Sequence, residues 1–208
     1  MNTLHLSGVS FGYPGHTVIT ETTQHWQAGL VWLHGQNGSG KSSVLKTLAG
    51  AQPALSGQLI LNGMTEKTDP VAYRQQLFYV GSDDYALPWL SAQQWARFCA
   101  EMFPRFCMAE WQNQLTQFGI AGSVSQQLSA LSLGTRRKHV YALAFACHPA
   151  LLLLDEPYNG VDQSSCDVLD TAIITARQAG SIVVMASHQP RPALQADLHL
   201  HCQSGKMR

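Results

Sequence analysis

Gly35-Gln36-Asn37-Gly38-Ser39-Gly40-Lys41-Ser42 decides the fold, and it follows directly on the apolar run Leu30-Val31-Trp32-Leu33-His34. The octet fits G-x-x-x-x-G-K-[ST] at every fixed position, with a predicted strand before it. A predicted helix from about Lys41 to Ala49 follows, stopped at Gly50. Glycine lets the backbone turn so that successive N–H groups face one anion. The helix beginning near Lys41 brings its positive end to the same point. In such a loop, here running from Gly35 to Ser43, Lys41 reaches the β and γ phosphates of a nucleotide, and Ser42 offers a hydroxyl to Mg²⁺. Strand, phosphate loop and helix in that order open an α/β fold.

Further along, Leu151-Leu152-Leu153-Leu154-Asp155-Glu156-Pro157 narrows the chemistry. Four leucines predict a central strand covered on both faces, as parallel sheets require. Asp155 emerges at its carboxyl end, where open α/β sheets place ligands. A carboxylate there can hold the Mg²⁺ shell, usually through water. Glu156, the next residue, can orient or deprotonate an attacking water. A solvated strand end would also carry adjacent carboxylates, but the four leucines ahead of this pair argue for burial.

The 208 residues include 13 basic and 13 acidic side chains, for a formal net charge of zero. Only 12% are charged while 45% are hydrophobic, against about 25% charged in an average domain. A neutral chain lacks the basic face of a dedicated nucleic-acid binder, and ample apolar content argues against long disorder. The length fits one domain with room for an inserted subdomain. The longest apolar stretches, Val140 to Cys147 and Ala150 to Leu154, are parted by His148-Pro149. Each falls short of the roughly 20 residues a spanning helix needs. The start, MNTLHLSGVSFGY, has no basic segment ahead of an apolar one, so the expectation is an uncleaved cytoplasmic protein. Cys99, Cys107, Cys147, Cys166 and Cys202 form no C-x-x-C pair and read as reduced thiols. His199 and His201 stand at i,i+2 on a predicted terminal strand, too few ligands for a structural metal site.

Ahead of the loop, Leu4-His5-Leu6 leads into the turn Gly12-Tyr13-Pro14-Gly15, and Thr17 to Thr20 forms a second short run. Behind it, Gln58 to Leu61 and Leu77 to Val80 read as strands. From about 84 to 135 the chain turns helical in character. Trp95, Phe98, Cys99 and Met102 fall at i, i+3, i+4, i+7 and predict a helix over about Ser91 to Phe103, with that stripe packed as core. Trp111, Leu115 and Phe118 repeat the spacing on a second helix. After 149 the α/β pattern returns, with a strand at Leu151 to Leu154, a helix from Ser164 to Gln178 and a strand from Ser181 to Ala186. Arg136-Arg137-Lys138, opening a helix from about Leu133 to Cys147, reads as a solvated face.

With these motifs in order, the chain resembles an ATP-binding cassette (ABC) transporter ATPase over nearly its whole length. Tyr13 matches the aromatic that stacks on adenine in that family. Leu131-Ser132-Leu133-Gly134-Thr135 stands in place of the signature LSGGQ, Asn159-Gly160-Val161-Asp162 matches the loop ending in Asp, and Ser187-His188 matches the switch histidine. The resemblance implies an α/β fold: a P-loop NTPase core, mostly parallel sheet flanked by helices with an N-terminal antiparallel β element. Residues 1–208 would form a single ABC ATPase domain, with a helical subdomain inserted at about 84–135. It further implies ATP and Mg²⁺ as ligands. Tyr13 and the loop from Gly35 to Ser43 would bind ATP, Ser42 and Asp155 would hold the metal, and Glu156, His188 and Lys41 would carry catalysis. Ser132, Leu133 and Gly134 would meet the nucleotide of a second subunit. The family's Gln at the boundary of the helical subdomain is missing. In Phe78-Tyr79-Val80-Gly81-Ser82-Asp83-Asp84, Asp83 is the candidate for its place and for an Mg²⁺ contact, with Ser82 the alternative. Leu133 for the first signature Gly and Thr135 for Gln imply slower turnover; Glu156 and His188 argue against a dead subunit.

The partners implied are a second ABC ATPase subunit, in a two-fold dimer with two composite sites, and a separate integral membrane transporter subunit; nucleic acid is not implied. The location implied is cytoplasmic, peripheral on the inner face of the cell membrane. Trp89 and Leu90 fall where the helical subdomain offers such a partner a groove. Leu-Ser-Leu-Gly-Thr-Arg-Arg-Lys resembles the ATPases of small two-subunit exporters. Ser187-His188-Gln189-Pro190 is similar to the haem-exporter ATPase of cytochrome c maturation, the second reading. Soluble, non-transport ABC ATPases usually carry paired cassettes, a hinge or a long coiled-coil insertion. A P-loop small-molecule kinase would show an Arg-bearing lid and leave the signature and His188 unexplained. The scarcity of charge fits an exterior that is largely interface, because interface cores are depleted in Lys, Glu and Asp.

Overall fold

The computed structural model describes residues 1–81, 87–189, 191–203 and 205–207. Two long antiparallel strands come first, β1 (Thr3–Tyr13) and β2 (His16–Gln27), and β3 (Gly29–His34) leads into α1 (Lys41–Leu48). The strand β4 (Ser56–Leu61) pairs with the other edge of β1, closing a three-stranded antiparallel sheet in the order β2–β1–β4. Leu4–Leu6 and Thr17–Thr20 are thus parts of strands 11 and 12 residues long. Register shifts after Leu6 absorb Gly8, whose φ is +57°, so the strand runs on through a residue that reads locally as a break.

A short helix α2 (Pro70–Arg74), capped by Asp69, precedes β5 (Leu77–Val80). The helices α3 (Ala92–Met102), α4 (Met108–Gln117) and α5 (Leu133–Ala146) lead to β6 (Leu151–Asp155). Then follow α6 (Gln163–Gln178), β7 (Ile182–Ala186), β8 (Leu198–Gln203) and β9 (Lys206–Met207). The main sheet runs β5–β6–β7–β3–β8–β9, parallel except at the β8–β9 edge.

Every residue of β6 and β7 is buried, and alternate side chains enter opposite cores. Leu152, Leu154, Val183, Met185, Leu30 and Trp32 pack against α3, α4, α5 and α6. Leu151, Leu153, Ile182, Val184, Val31 and Leu33 pack toward α1 and the small antiparallel sheet. A strand covered on both faces has no polar side to show, which is why four consecutive leucines read as central.

The second predicted helix stripe is core as expected, with Trp111, Leu115 and Phe118 buried. The first is rotated. Ala92, Ala96 and Cys99 are the buried positions of α3, whereas Phe98 and Met102 are 46% and 42% exposed. Two alanines, being small, supply the buried stripe together with Cys99, and Trp95 packs part-buried beside them. Ser91 closes a capping box with Gln94 and fixes where this helix begins. The five cysteines are free thiols, four of them buried. Among the described residues, no helix is long and apolar enough to cross a membrane.

Candidate nucleotide site

The phosphate loop is shaped by what a side chain would strike. Gly40, the N-cap of α1, has φ +100°, and a Cβ there would lie 2.2 Å from Val18 Cγ1 of β2. Gly35 has φ +149°, and its Cβ would meet Ser39 Oγ at 2.4 Å and the Cys202 carbonyl at 2.6 Å. The loop therefore follows a path between β2 and β8 that only glycine can take at those two points. Ser39 N–H donates to the Gln36 carbonyl at 3.1 Å. Lys41 is buried, and its ammonium donates to the carbonyls of Gly35 at 2.7 Å and Gln36 at 3.1 Å. The Ser39 hydroxyl is buried and has no hydrogen-bond partner among the described residues, a donor available to an anion seated in the loop.

Alongside lies an open cleft of about 450 Å³. Tyr13 and His16, the hairpin partners that end β1 and begin β2, line it together with Asp155 and Glu156. Asn37, Gly38 and the residues Gly40 to Ser43 also line it. Tyr13 is half exposed, free to present its ring to a planar base. Gly35, Gln36 and Ser39 open instead onto an adjoining cleft that His188 also lines.

Asp155 is fully buried at the end of β6, where it takes hydrogen bonds from the Ser42 hydroxyl and, at 3.5 Å, from Tyr79. Burial pushes its pKa up, against the opposing hydrogen bond from Ser42 and the charge of Lys46. A buried carboxylate facing a serine hydroxyl suits a small divalent cation, which prefers hard oxygen ligands. Glu156 leaves the strand at φ +46°, with its N–H on the Ala186 carbonyl of β7 at 2.8 Å. That left-handed conformation is rare outside glycine and turns the carboxylate toward His188. The two side chains approach to 3.4 Å, Glu156 Oε1 to His188 Nε2.

Ser132, Leu133 and Gly134 do not line this cleft. Ser132 caps α5, accepting from the Thr135 N–H at 3.1 Å, and Leu133 beside it is 54% exposed. Gly134 lies against Gly160, whose carbonyl would be 3.0 Å from an added Cβ. Asp162 caps α6 and bonds Lys138 at 2.7 Å, and that ammonium with the Ser164 and Ser165 donors holds its carboxyl well below the usual carboxylate range. Asp83 and Ser82 lie outside the described residues. The run Arg136-Arg137-Lys138 is not a solvated face. Arg137 is 4% exposed and Lys138 is mostly covered by its pairing with Asp162, because α5 lies against the segment after β6.

His16 and Val18 line the cleft and Tyr79 bonds Asp155, three contributions that the sequence does not mark. They come from strands flanking the loop in space, and no local motif marks them. His199 and His201 share a face of β8 with Trp32 and His34 of β3, forming a stack in which His34 bonds His199 at 2.8 Å. Burial, with the charges of His199 and His201, lowers the pKa of His34. Among the described residues, no group of three or more His, Cys, Asp or Glu side chains is arranged to hold a metal ion.

The model of the ABC transporter family matches residues 22–159. The cytochrome c biogenesis ATP-binding export protein CcmA of Paramagnetospirillum magneticum is 34% identical over 83% of this chain and 81% of its own. CcmA 2 of Cupriavidus metallidurans is 32% identical over 85% and 84%. A solved ATP-binding subunit of an ABC transporter superposes with a TM-score of 0.90 at 24% identity, covering 98% of this chain and 87% of that one. The chain thus belongs to the ABC transporter family as an ATP-binding subunit that hydrolyses ATP.

Proposed function

We propose that two copies of this chain close on two ATP molecules and drive export through a separate membrane subunit, in the cytochrome c biogenesis branch of the family. The observation that carries the two-chain site is the place of Ser132. It caps a helix whose first residue is exposed, and it stands outside the cleft that holds Lys41, Asp155 and Glu156. A helix N-terminus of this kind is an anion-binding end without an anion of its own chain to meet. Each chain then lends Ser132, Leu133 and Gly134 to the nucleotide on the other's phosphate loop, with Asp162 close to the same junction.

Within one site, Tyr13 stacks on the adenine and the backbone from Gly35 to Ser43 cradles the phosphates. Lys41 moves from its loop carbonyls to the β and γ phosphates. Ser42 and Asp155 would hold Mg²⁺, which would supply charge neutralisation at the transferring phosphoryl group. Glu156 takes a proton from the attacking water, and His188 donates a hydrogen bond to the γ-phosphate. Loss of that bond on hydrolysis helps the dimer open.

The stretch from about 84 to 135 serves as the helical subdomain that meets the membrane partner. Trp89 is 60% exposed, and Phe98 and Met102 lie exposed on the helix that follows it. Such exposure supports docking on the inner face of the membrane. The branch rests on relatives whose names describe export in cytochrome c biogenesis. Membership there puts the choice of cargo with the membrane subunit.

Mixing chains that carry Lys41→Ala with chains that carry Ser132→Arg tests the sandwich. In a mixed dimer one site loses both elements and the other stays whole, so activity absent from either variant alone should return on mixing. No recovery, with both chains folded and associated, overturns the two-chain site.

A further inference from the structure

One helix grips the turn that carries Glu156. From α5, the guanidinium of Arg137 donates to the main-chain carbonyl of Glu156 at 3.3 Å and to that of Asn159. The hydroxyl of Tyr141, one helical turn on, donates to the carbonyl of Pro157 between them. Lys138 closes the series on the Asp162 carboxylate at 2.7 Å. Residues 156 to 162 are therefore tied to α5 by Arg137, Lys138 and Tyr141, and the ties begin at the carbonyl of Glu156 itself.

Two features lift Arg137 above ordinary packing. A guanidinium only 4% exposed is an expensive way to satisfy two carbonyls, because removing a cation from water costs several kcal/mol. Those carbonyls flank Pro157-Tyr158, directly after a Glu156 whose φ of +46° persists only while its surroundings fix it. Released, the peptide would relax toward an ordinary extended or helical conformation and swing the carboxylate away from His188.

We infer that Arg137 is a positioning residue for hydrolysis: it holds the left-handed backbone at Glu156, and through it the carboxylate, in working geometry. The inference rests on Glu156 being the base, and it needs no contact between Arg137 and nucleotide. A misplacement of about 1 Å in such a group lowers a rate by about 10²-fold.

The test uses the full chain and four variants: Arg137→Gln, Arg137→Lys, Glu156→Gln and the double variant Arg137→Gln/Glu156→Gln. Arg137→Gln should lower kcat about 10- to 100-fold with the ATP KM within about threefold. Arg137→Lys, which keeps the charge but loses the planar fork that reaches both carbonyls, should recover part of that loss. The double variant should be no slower than Glu156→Gln, because Arg137 acts through the residue already removed. Wild-type kcat in Arg137→Gln, or losses that multiply in the double variant, overturns the positioning role. Should Arg137→Gln fail to fold, Arg137→Lys decides alone, and wild-type kcat in it overturns the role. A Glu156→Gln chain that hydrolyses normally overturns instead the assignment of the base.

Discussion

The carboxylate of Glu156 stands 3.4 Å from Nε2 of His188, and its other oxygen lies 3.5 Å from the His188 backbone N–H. The pair bridges the ends of β6 and β7, neighbouring strands whose register sets Asp155 beside Ala186. Glu156→Gln keeps the shape of the side chain and removes its basicity. Hydrolysis should slow by about 10²–10⁴-fold while ATP binding persists, and ATP-loaded dimers should accumulate on gel filtration. Unchanged turnover would take Glu156 out of the base role.

Gly40→Ala should damage both the fold and the site. The added methyl meets Val18 Cγ1 at 2.2 Å, and φ of +100° is itself unfavourable for alanine. Together these should cost about 2–4 kcal/mol of stability, read as a lowered thermal midpoint. Val18→Ala in the same chain should restore the steric part and leave the backbone part. A double variant no better than Gly40→Ala would show that β2 does not pin the loop.

A buried histidine should make stability depend on pH. His139 of α5 is fully buried with Nε2 on the Ser123 hydroxyl at 2.8 Å, and burial pushes its pKa from 6.5 down to about 4. The folded chain thus binds this proton less readily than the unfolded chain does. Its contribution is complete above about pH 6.5 and is lost as pH falls toward 4. The loss should reach about 3 kcal/mol. Denaturant titrations across that window should show the slope, and His139→Gln should flatten it whatever its absolute stability.

Trp89→Ala and Phe98→Ala, both at exposed sites, should leave the thermal midpoint nearly unchanged, within about 0.5 kcal/mol. Co-purification of the chain with solubilised membranes should fall sharply in the pair. A large loss of stability would mean these rings pack within the chain; full retention on membranes would place the docking surface elsewhere.

What the amino-acid order discloses here follows from how local each feature is. The phosphate loop and the strand ending in Asp155 are contiguous, so both were legible with their flanking elements. The helix periods were legible too, but period alone does not fix rotation. On α3 the small Ala92 and Ala96 face inward while Phe98 lies outward. The burial of Arg137 is illegible in the sequence for a related reason. Three basic residues at a helix start look solvated until a loop distant in sequence is packed across them. Val18 and His16 reach the site through cross-strand pairing, and Leu4 to Leu6 looked like an isolated run because the partner that extends it lies in β2 and β4.

The contact between Val18 and Gly40 also bears on how far the chain can be cut back. A fragment starting at β3 would retain every landmark from Gly35 to His188, and by motif alone it would pass for a minimal ATPase. It would lack the wall against which the loop is moulded, since Val18 belongs to the strand before β3. The small antiparallel sheet is therefore no dispensable lid over the base. It is the template that gives the phosphate loop its form.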